Sequence, residues 1–316
     1  MKALVLGGNG FIGSHVVDQL LAHGHSVCVF DRSLEKYRGP LPQVDYRLAQ
    51  FDDVAALAES LHGIDVVYHL ISTTVPSTSN KDPIYDVESN LVWTLRLLNL
   101  MREFAVDRIV YLSSGGTVYG VPEVLPIPES HPLRPICSYG VVKVAIENYI
   151  RMFNKLYGLE YIIIRPSNPY GERQGHSGVQ GLIGTMMRRL LRNEAVEIWG
   201  DGSIVRDFIY VRDLAELCVI AGCSQIVGTF NAGSGEGISV KEVFDVLVKI
   251  SEKAVVPVYK TGRAYDVPKV VLSFDKAREQ FSWEPSIRFE DGLQSTWAWH
   301  LEVAGKKIND SAIDAR

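Results

Sequence analysis

Short apolar runs alternate with amphipathic segments through the first half of the chain. Runs with the length and composition of buried strands occupy residues 2–6, 26–30, 65–70, 108–112 and 161–165. The segments between them have helical spacing of apolar residues, at positions 11–23, 54–61, 84–104 and 139–157. Short strands that alternate with helices are typical of parallel βαβ units with right-handed crossovers. The pattern therefore predicts an α/β protein with a doubly wound parallel sheet.

The pattern loosens after residue 165. The segment RPSNPYGERQGHSGVQG (residues 165–181) is rich in Pro, Gly and polar residues, and a loop of this length suggests function. Helical patterns return at 182–192, 211–221 and 240–251. We expect a sheet domain formed by residues 1–168 and about 207–235, and a smaller, loop-rich α/β lobe formed by 169–206 and about 236–305. The lobe should cover the carboxyl ends of the strands, where open α/β sheets bind ligands, and residues 306–316 should form a polar tail.

Composition and charge exclude several classes of function. The chain is 47% hydrophobic and 22% charged, as in ordinary soluble domains, and its apolar runs are too short to cross a bilayer. A net charge of −5 argues against nucleic-acid binding, so local arginines must hold any anionic ligand. The four cysteines and eight histidines lack CxxC, HExxH and other ligand spacings. They predict reduced thiols in a cytoplasmic protein and no metal site.

A glycine-rich turn lies between the first predicted strand and the first predicted helix. VLGGNGFIGSH places Gly7, Gly10 and Gly13 in a G-x-x-G-x-x-G array. Glycines let the backbone approach a pyrophosphate, and the N-terminus of the helix favours its negative charge. Asp31, at the end of the next strand, can accept hydrogen bonds from both hydroxyls of an adenosine ribose and would repel the 2′-phosphate of NADP. The turn predicts a Rossmann-type domain that binds NAD. Arg32 could hold a 2′-phosphate, but we expect it beside the adenine.

Asp52 ends the sequence YRLAQFD and has two interpretations. Its carboxylate is well placed to accept a hydrogen bond from the adenine amine. It could equally cap the helix predicted at 54–61. Both interpretations stay open at this stage.

The sequence SYGVVK places Tyr139 and Lys143 four residues apart, on one face of a helix. A free phenol has a pKa near 10, too high for a base at neutral pH. A nearby ammonium stabilises the phenolate and brings it into working range, and the lysine can also bind the nicotinamide ribose. After a nucleotide-binding turn, this pair predicts a catalytic base and its partner.

With these motifs the chain resembles the extended short-chain dehydrogenase/reductase superfamily and its NAD-dependent epimerase/dehydratase family. More narrowly, it is similar to the nucleotide-sugar 4-epimerases that act on UDP-glucose or UDP-N-acetylglucosamine. The resemblance runs from residue 1 to about 299 and includes DVESNLVWTLRLL, RPSNPYG, GSIVRDFIYVRDLA and GRAYDVP. It implies NAD as cofactor, a UDP-sugar as substrate, and a homodimer formed through a four-helix bundle by residues 84–104 and 139–157. The sequence does not define the pathway, for which polysaccharide biosynthesis is one hypothesis.

The resemblance implies two sets of binding residues. The cofactor set comprises Gly7, Gly10, Phe11, Ile12, Gly13, Asp31, Arg32, Asp52, Leu70, Ser72, Asn90, Ser113, Tyr139, Lys143 and Pro166. The substrate set comprises Thr117, Asn168, Gln180, Leu182, Ile198, Arg206, Arg263, Asp266 and Val270.

The substrate set divides by chemistry. Two arginines would neutralise the diphosphate as planar forks. The implied roles are diphosphate binding by Asn168, Arg206 and Arg263, ribose binding by Asp266, and a uracil pocket lined by Gln180, Leu182 and Ile198. The alternatives are a local ion pair between Arg206 and Asp207 and a solvated loop charge at Arg263.

The reaction that the resemblance implies is a reversible oxidation. Tyr139, as phenolate, removes the proton of the sugar 4-hydroxyl while hydride leaves C4 for NAD. The 4-keto sugar turns about its bond to the diphosphate and takes the hydride back on its other face. The net reaction is an isomerisation.

The stretch YLSSGGTVYG departs from the family pattern. The family's bridging Ser or Thr lies four residues before the tyrosine of VYG, and Gly115 occupies that position. We expect Thr117 to replace it, because period-2 alternation would put its side chain on the same face of the strand end. Ser114 or a water is the alternative. A further alternative is that Ser113, Ser114 and Thr117 only cap backbone groups of a turn.

The same stretch bears on related reactions. Family dehydratases carry an Asp-Glu pair where this chain has Gly116 and Thr117, and the glutamate of the decarboxylases is also absent, so both reactions are disfavoured. A small residue at Val270, with glycines at 115 and 116, predicts room for an N-acetyl group and thus UDP-N-acetylglucosamine as substrate. Three other functions stay open: a UDP-uronate epimerase, a nucleotide-sugar reductase and a catalytically impaired NAD/nucleotide-sugar-binding sensor.

Overall fold

The computed structural model describes residues 1–175, 181–262 and 267–313, with side chains to residue 305. Its strands are β1 (Lys2–Leu6), β2 (Ser26–Asp31), β3 (Val44–Leu48), β4 (Val66–His69), β5 (Arg108–Leu112), β6 (Glu160–Pro166), β7 (Asn168–Tyr170), β8 (Val196–Trp199), β9 (Val205–Arg206), β10 (Phe208–Tyr210), β11 (Gly228–Ala232), β12 (Ile238–Ser239), β13 (Pro257–Lys260) and β14 (Lys269–Val270). Its α-helices are α1 (Phe11–Ala22), α2 (Val54–Ser60), α3 (Pro76–Ser79), α4 (Pro83–Asp86), α5 (Trp93–Glu103), α6 (Ser138–Tyr157), α7 (Leu182–Leu191), α8 (Val211–Cys223), α9 (Val240–Ser251), α10 (Asp275–Phe281) and α11 (Phe289–Ile313).

Seven parallel strands form the main sheet, in the order β11-β6-β5-β4-β1-β2-β3. This confirms the predicted doubly wound α/β fold. The order reverses between β1 and β4, and ligands bind at the carboxyl ends of the strands beside such a reversal. The turn after β1 and the loop after β4 both begin at that point.

Helices cover both faces of the sheet because alternate side chains of each strand point to opposite faces. In β1, Ala3 and Val5 pack against α1 and α8, whereas Leu4 and Leu6 pack in the core that contains α2, α5 and α6. All four side chains are fully buried. The near-continuous apolar runs of the sequence therefore reflect strands buried on both faces.

The helix predicted for residues 84–104 is divided in the structure. It consists of α4, a π-helical stretch (Val87–Val92) and α5. The hydrophobic spacing does not distinguish a π-helical turn from an α-helical one. Such turns are rare and are frequent at functional sites, and this one contains Asn90.

The second lobe is built from three small sheets and the helices α7, α9 and α11. Their shared core includes Ile183, Leu190, Phe244 and Leu293. The sequence pattern missed most of its strands because they are two to four residues long. Helix α11 continues to Ile313, through most of the segment for which the sequence predicted a polar tail. Across the described residues, no helix combines the length and apolarity needed to span a bilayer.

Candidate active site

A cavity of about 500 Å³ lies at the carboxyl ends of the main-sheet strands, between the sheet domain and the second lobe. The sheet domain contributes Phe11, Ile12, Leu112, Ser113, Ser114, Gly116, Thr117, Tyr139 and Pro166 to its wall. The other side includes Asn168, Leu182, Glu197, Trp199, Arg206 and Phe208. The fold therefore brings predicted cofactor residues and predicted substrate residues together around one space.

The glycine turn at one end of this cavity is packed too tightly for side chains. Gly7 has a φ of +82°, which favours glycine, and a Cβ added at Gly13 would lie 2.1 Å from the Gly7 carbonyl oxygen. Gly10 is the N-cap of α1, and the first helical residues, Phe11 and Ile12, line the cavity. The backbone N–H groups of this first turn lack intrahelical partners and suit a diphosphate.

Asp31 lies where the ribose interpretation requires an acceptor, at the end of β2 and beside the glycine turn. Its carboxylate accepts hydrogen bonds from the backbone N–H groups of Asn9 (3.1 Å) and Ser33 (3.4 Å). Burial raises the pKa of Asp31, and these N–H groups oppose that rise. Arg32 is exposed. The glycine turn and Asp31 together fit the diphosphate and adenosine ribose of NAD.

The capping interpretation of Asp52 is wrong. The N-cap of α2 is the next residue, Asp53, whose side chain accepts the Ala56 N–H at 3.0 Å. Asp52 is exposed and lies within the connection between β3 and α2. Sequence spacing alone did not decide which of two adjacent aspartates would cap the helix.

The loop after β4 is held by Asn90. The Asn90 amide oxygen accepts the Thr73 N–H at 2.9 Å, and its nitrogen donates to the Thr73 hydroxyl at 2.8 Å. This loop begins at Leu70, which adjoins Gly7, and contains Ser72, which hydrogen-bonds to the Tyr139 side chain. Within the described structure, Asn90 holds the loop after β4 in place through these hydrogen bonds.

Tyr139 and Lys143 occupy one face of α6, as predicted. The Lys143 ammonium donates to the Leu112 carbonyl oxygen at 2.9 Å and lies 5.4 Å from the centre of the Tyr139 ring. Burial lowers the pKa of Lys143 to about 8. Burial raises the pKa of Tyr139 to about 12, and the hydrogen bond from Ser72 opposes that rise. Burial thus outweighs the lowering of the phenol pKa that the sequence predicted.

Side chains from α3 cap the first turn of α6. The N-cap residue of α6 is Cys137, whose side chain makes no capping hydrogen bond to a described residue. Instead Asn80 accepts the Ser138 N–H at 2.8 Å, and the Ser79 hydroxyl accepts the Tyr139 N–H at 3.1 Å. Sequence reasoning missed Ser79 and Asn80, since no local pattern links residues about 60 positions apart.

The hydroxyls after β5 have different environments. Ser113 donates to Glu147 at 2.6 Å, so its hydroxyl is engaged in the core behind the cavity. Ser114 and Thr117 line the cavity with Tyr139. The Thr117 hydroxyl is buried and has no hydrogen-bond partner among the described residues. Its hydrogen-bonding capacity is therefore unused by the described residues.

The period-2 argument for Thr117 is wrong, although Thr117 does line the cavity. Strand β5 ends at Leu112, and the chain then turns, with the Ser114 carbonyl oxygen accepting the N–H groups of Thr117 (3.5 Å) and Val118 (3.2 Å). Alternation applies only to extended backbone. The position of Thr117 thus depends on the turn.

Gly115 has no space for a side chain. An added Cβ would lie 2.4 Å from Leu272 Cδ1 and 3.0 Å from the Arg165 carbonyl oxygen. The expectation that glycine at 115 makes room for an acetamido group is therefore wrong, since Leu272 fills that space. Gly116, in contrast to Gly115, faces open space, since no described heavy atom lies within 4 Å of an added Cβ.

In the second lobe the structure corrects two predicted pocket residues. Ile198 is 1% exposed and packs in the lobe core, whereas Glu197 and Trp199 line the cavity, because side chains alternate along β8. Val270 is 3% exposed and packs in a cluster that includes Val118 and Leu272, away from the cavity wall. Alternation along β8 was the signal that could have found Glu197 and Trp199.

The other substrate residues fall into two groups. Asn168, Leu182 and Arg206 line the cavity; Arg206 donates to the carbonyl oxygens of Val205 (2.9 Å) and Val267 (2.7 Å). Asp207 is fully buried, and its carboxylate accepts hydrogen bonds from the N–H groups of Ser234 (2.8 Å) and Leu272 (3.0 Å). The alternative of a local ion pair between Arg206 and Asp207 is therefore wrong. The predicted residues Gln180, Arg263 and Asp266 lie outside the described residues.

Comparison with known proteins identifies the family. Residues 3–233 match the model of the NAD dependent epimerase/dehydratase family. The chain is 36% identical to a putative UDP-glucose 4-epimerase of Methanocaldococcus jannaschii, covering 94% of this chain and 97% of the relative.

Two solved structures have the same fold over nearly the whole chain. UDP-glucose 4-epimerase of Thermotoga maritima, solved with UDP-glucose, superimposes with a TM-score of 0.92 at 35% identity, covering 96% of this chain and 100% of that one. UDP-N-acetylglucosamine 4-epimerase of Methanobrevibacter ruminantium, solved with UDP-N-acetylmuramic acid, has a TM-score of 0.90 at 27% identity, covering 95% and 98%. The chain therefore belongs to the NAD dependent epimerase/dehydratase family, as an isomerase with NAD as its cofactor.

Proposed function

We propose that the chain interconverts UDP-glucose and UDP-galactose by epimerisation at C4. The observation that carries this proposal is the buried, unpartnered Thr117 hydroxyl beside Tyr139, in a cavity that also reaches the glycine turn and Arg206. A cavity whose wall contains both a phenol that can accept a proton and a guanidinium suits a hexose joined to a diphosphate. The UDP-glucose 4-epimerase names of similar proteins support the same substrate.

Three residues, Tyr139, Thr117 and Lys143, have parts in this proposed reaction. Tyr139 removes the proton of the sugar 4-hydroxyl, with the Thr117 hydroxyl as the bridge, and returns it when the 4-keto sugar is reduced on its other face. Lys143 supplies a positive charge that favours the phenolate. The glycine turn and Asp31 would hold NAD, which would supply the reversible hydride acceptor for C4. The proton and the hydride both return to the sugar, so no external oxidant is consumed.

The second lobe holds the nucleotide in this proposal. Arg206 and Arg263 neutralise the diphosphate, Asn168 binds one of its oxygens, and Asp266 accepts from the uridine ribose. In this proposal residues 1–168 and about 207–235 hold NAD, while 169–206 and about 236–305 hold the UDP-sugar, except that β7 and β10 pack in the core of the second lobe. Glu197 and Trp199 replace Ile198 in the wall of the uracil pocket, because these two side chains face the cavity.

Acetamido sugars are a second candidate substrate. The open space beside Gly116 favours them, since an N-acetyl group needs a void next to the sugar ring. The likeness to the UDP-N-acetylglucosamine 4-epimerase of Methanobrevibacter ruminantium adds support. Val270 is buried away from the cavity wall and does not bear on this candidate, which rests on the space beside Gly116 and on that likeness.

The purified protein should be incubated separately with UDP-glucose and with UDP-N-acetylglucosamine, and the sugar signals followed by NMR. Formation of UDP-galactose without added reductant is the expected result. Consumption of NADPH would indicate a reductase. Turnover of UDP-glucuronate alone would indicate a uronate epimerase, and the absence of turnover with any UDP-sugar would indicate a sensor. A parallel Tyr139→Phe sample should lose turnover and keep its NAD.

We propose a homodimer formed through α4, α5 and α6. Exposed apolar side chains on these helices support it: Ile84 is 72% exposed, Val141 53% and Leu156 60%. If a second copy covers these side chains, apolar surface is removed from water, and this burial stabilises the dimer. Light scattering coupled to size-exclusion chromatography tests this, and a monomer at micromolar concentration would contradict it.

A further inference from the structure

Asp86 is a fully buried carboxylate that the family motifs did not single out. It ends α4 and has an exposed fraction of 0%. One carboxylate oxygen accepts the Thr74 hydroxyl at 2.5 Å and the Asn90 amide at 3.1 Å. The other accepts the Ser138 hydroxyl at 2.7 Å. A buried carboxylate is tolerated only with such partners, and here the partners come from three different segments.

These partners connect Asp86 to both sides of the catalytic phenol. Ser138 precedes Tyr139 at the start of α6. Thr74 belongs to the loop after β4, where the Ser72 hydroxyl donates to the Thr74 carbonyl oxygen at 3.1 Å. Ser72 in turn hydrogen-bonds to the Tyr139 side chain. Asp86 therefore braces the first turn of α6 against the loop that supplies the hydrogen bond to the phenol.

The charge of Asp86 also acts on the Tyr139–Lys143 pair. It raises the pKa of Lys143, in opposition to burial, and it adds to the rise in the pKa of Tyr139. Other titratable groups around the pair are Glu147 on α6, His69 on β4, Tyr111 on β5 and Cys137 before α6. Of these, Glu147 also raises the pKa of Lys143, but it is paired with Arg165 at 2.6 Å.

We propose that Asp86 is a positioning residue, which holds Tyr139 against Ser72 through Ser138 and Thr74 and keeps a negative charge beside the Tyr139–Lys143 pair. The proposal rests on the proposed role of Tyr139 as the base. A carboxylate suits both tasks because it accepts several hydrogen bonds at once and carries charge. An asparagine would keep the shape and lose the charge.

Three variants separate the geometry from the charge. Ser138→Ala removes one brace and leaves the Asp86 charge in place. Asp86→Asn removes the charge and keeps the shape of the side chain. Glu88→Gln is the matched control, since it removes an exposed carboxylate two residues further along the same helical segment. For each variant, kcat and KM for UDP-glucose are measured across pH, with melting temperature and NAD content as measures of folding.

The two tasks predict different results. Ser138→Ala should lower kcat about 10-fold, because small displacements of a base are costly, without changing KM or the pH profile. Asp86→Asn should also lower kcat and move the whole pH profile of kcat to lower pH by roughly one unit, since the pKa values of Tyr139 and Lys143 fall together. Ultraviolet difference titration of the Tyr139 phenol, with Tyr139→Phe as blank, should show the same displacement. Glu88→Gln should behave as wild type.

A wild-type kcat for Ser138→Ala, or an unmoved pH profile for Asp86→Asn, overturns the proposal. If Asp86→Asn does not fold, the result for Ser138→Ala decides it alone. Failure here is distinguishable from failure of the proposed function. Turnover by the wild type and its loss in Tyr139→Phe test the role of the base and do not depend on Asp86.

Discussion

A Cβ added at Gly140 would lie 2.8 Å from the backbone carbonyl oxygen of Thr117. The first turn of α6 therefore packs directly on the turn that follows β5. This close approach places Tyr139, the neighbour of Gly140, and the Thr117 hydroxyl in the wall of one cavity. The distance between Tyr139 and the Thr117 hydroxyl therefore depends on the absence of a side chain at Gly140.

Gly140→Ala should therefore impair catalysis. The added methyl pushes α6 away from the Thr117 turn, so we expect kcat to fall at least about 10-fold, together with a lower melting temperature. Helix propensity alone would favour alanine, so a loss of stability reports the steric contact. Lys155→Ala, at an exposed polar site on the same helix, is the control. Unchanged kcat and melting temperature for Gly140→Ala would contradict the close packing.

Thr117→Ala should reduce turnover by about 10²-fold, the lower end of the range for proton transfer, because it removes a buried hydroxyl of the cavity wall that has no hydrogen-bond partner among the described residues. Thr117→Ser should recover most of the rate. Ser114→Ala serves as the comparison, since Ser114 also lines the cavity. The rates are measured by sugar NMR, and a larger loss for Ser114→Ala would transfer the bridging role to Ser114.

Gly115→Ser should not act as a repaired catalytic hydroxyl, although it restores the family residue at that position. Its Cβ would clash with Leu272 and with the Arg165 carbonyl oxygen. Overpacking of this kind lowers the free energy of unfolding by about 1–3 kcal/mol. The double variant Gly115→Ser/Leu272→Ala should lose less stability than the two single variants lose together, because removal of the Leu272 side chain relieves the clash with the added Cβ. Chemical denaturation measures each value, and a fully stable, faster Gly115→Ser enzyme would contradict this account.

The lowered pKa of Lys143 predicts a loss of activity above about pH 8, where the ammonium loses its charge. The sign for stability is opposite. A buried lysine whose pKa is depressed from 10.5 to about 8 binds fewer protons in the folded than in the unfolded protein across that interval, so its contribution to stability increases as pH rises through it. A pH–rate profile tests the first statement, and Lys143→Met should lose activity at every pH. An alkaline limb that stays flat to pH 10 would show that the Lys143 charge is not needed.

Local sequence was enough to predict the alternation of strands and helices, the glycine turn with Asp31, and the Tyr139–Lys143 pair. These features depend on short-range geometry: the two-residue periodicity of strands, the proximity of residues four apart on one helix face, and backbone conformations that favour glycine. The same local rules failed where the chain turns. They assigned Thr117 by strand alternation after the strand had ended, and Ile198 to a wall that Glu197 and Trp199 form.

Contacts between distant segments were decided only by the tertiary structure. Ser79 caps the turn that carries Tyr139, Leu272 fills the space beside Gly115, and Asp86 joins the loop after β4 to α6. No periodicity records such contacts, because each depends on how the elements pack and on the burial that packing creates. The sequence by itself therefore determined the fold class, the glycine turn after β1 and the placement of Tyr139 and Lys143 on one helix face. Packing across the sheet decided which hydroxyl faces the cavity, which positions have room for a side chain, and how the pKa values of the base and its lysine partner shift.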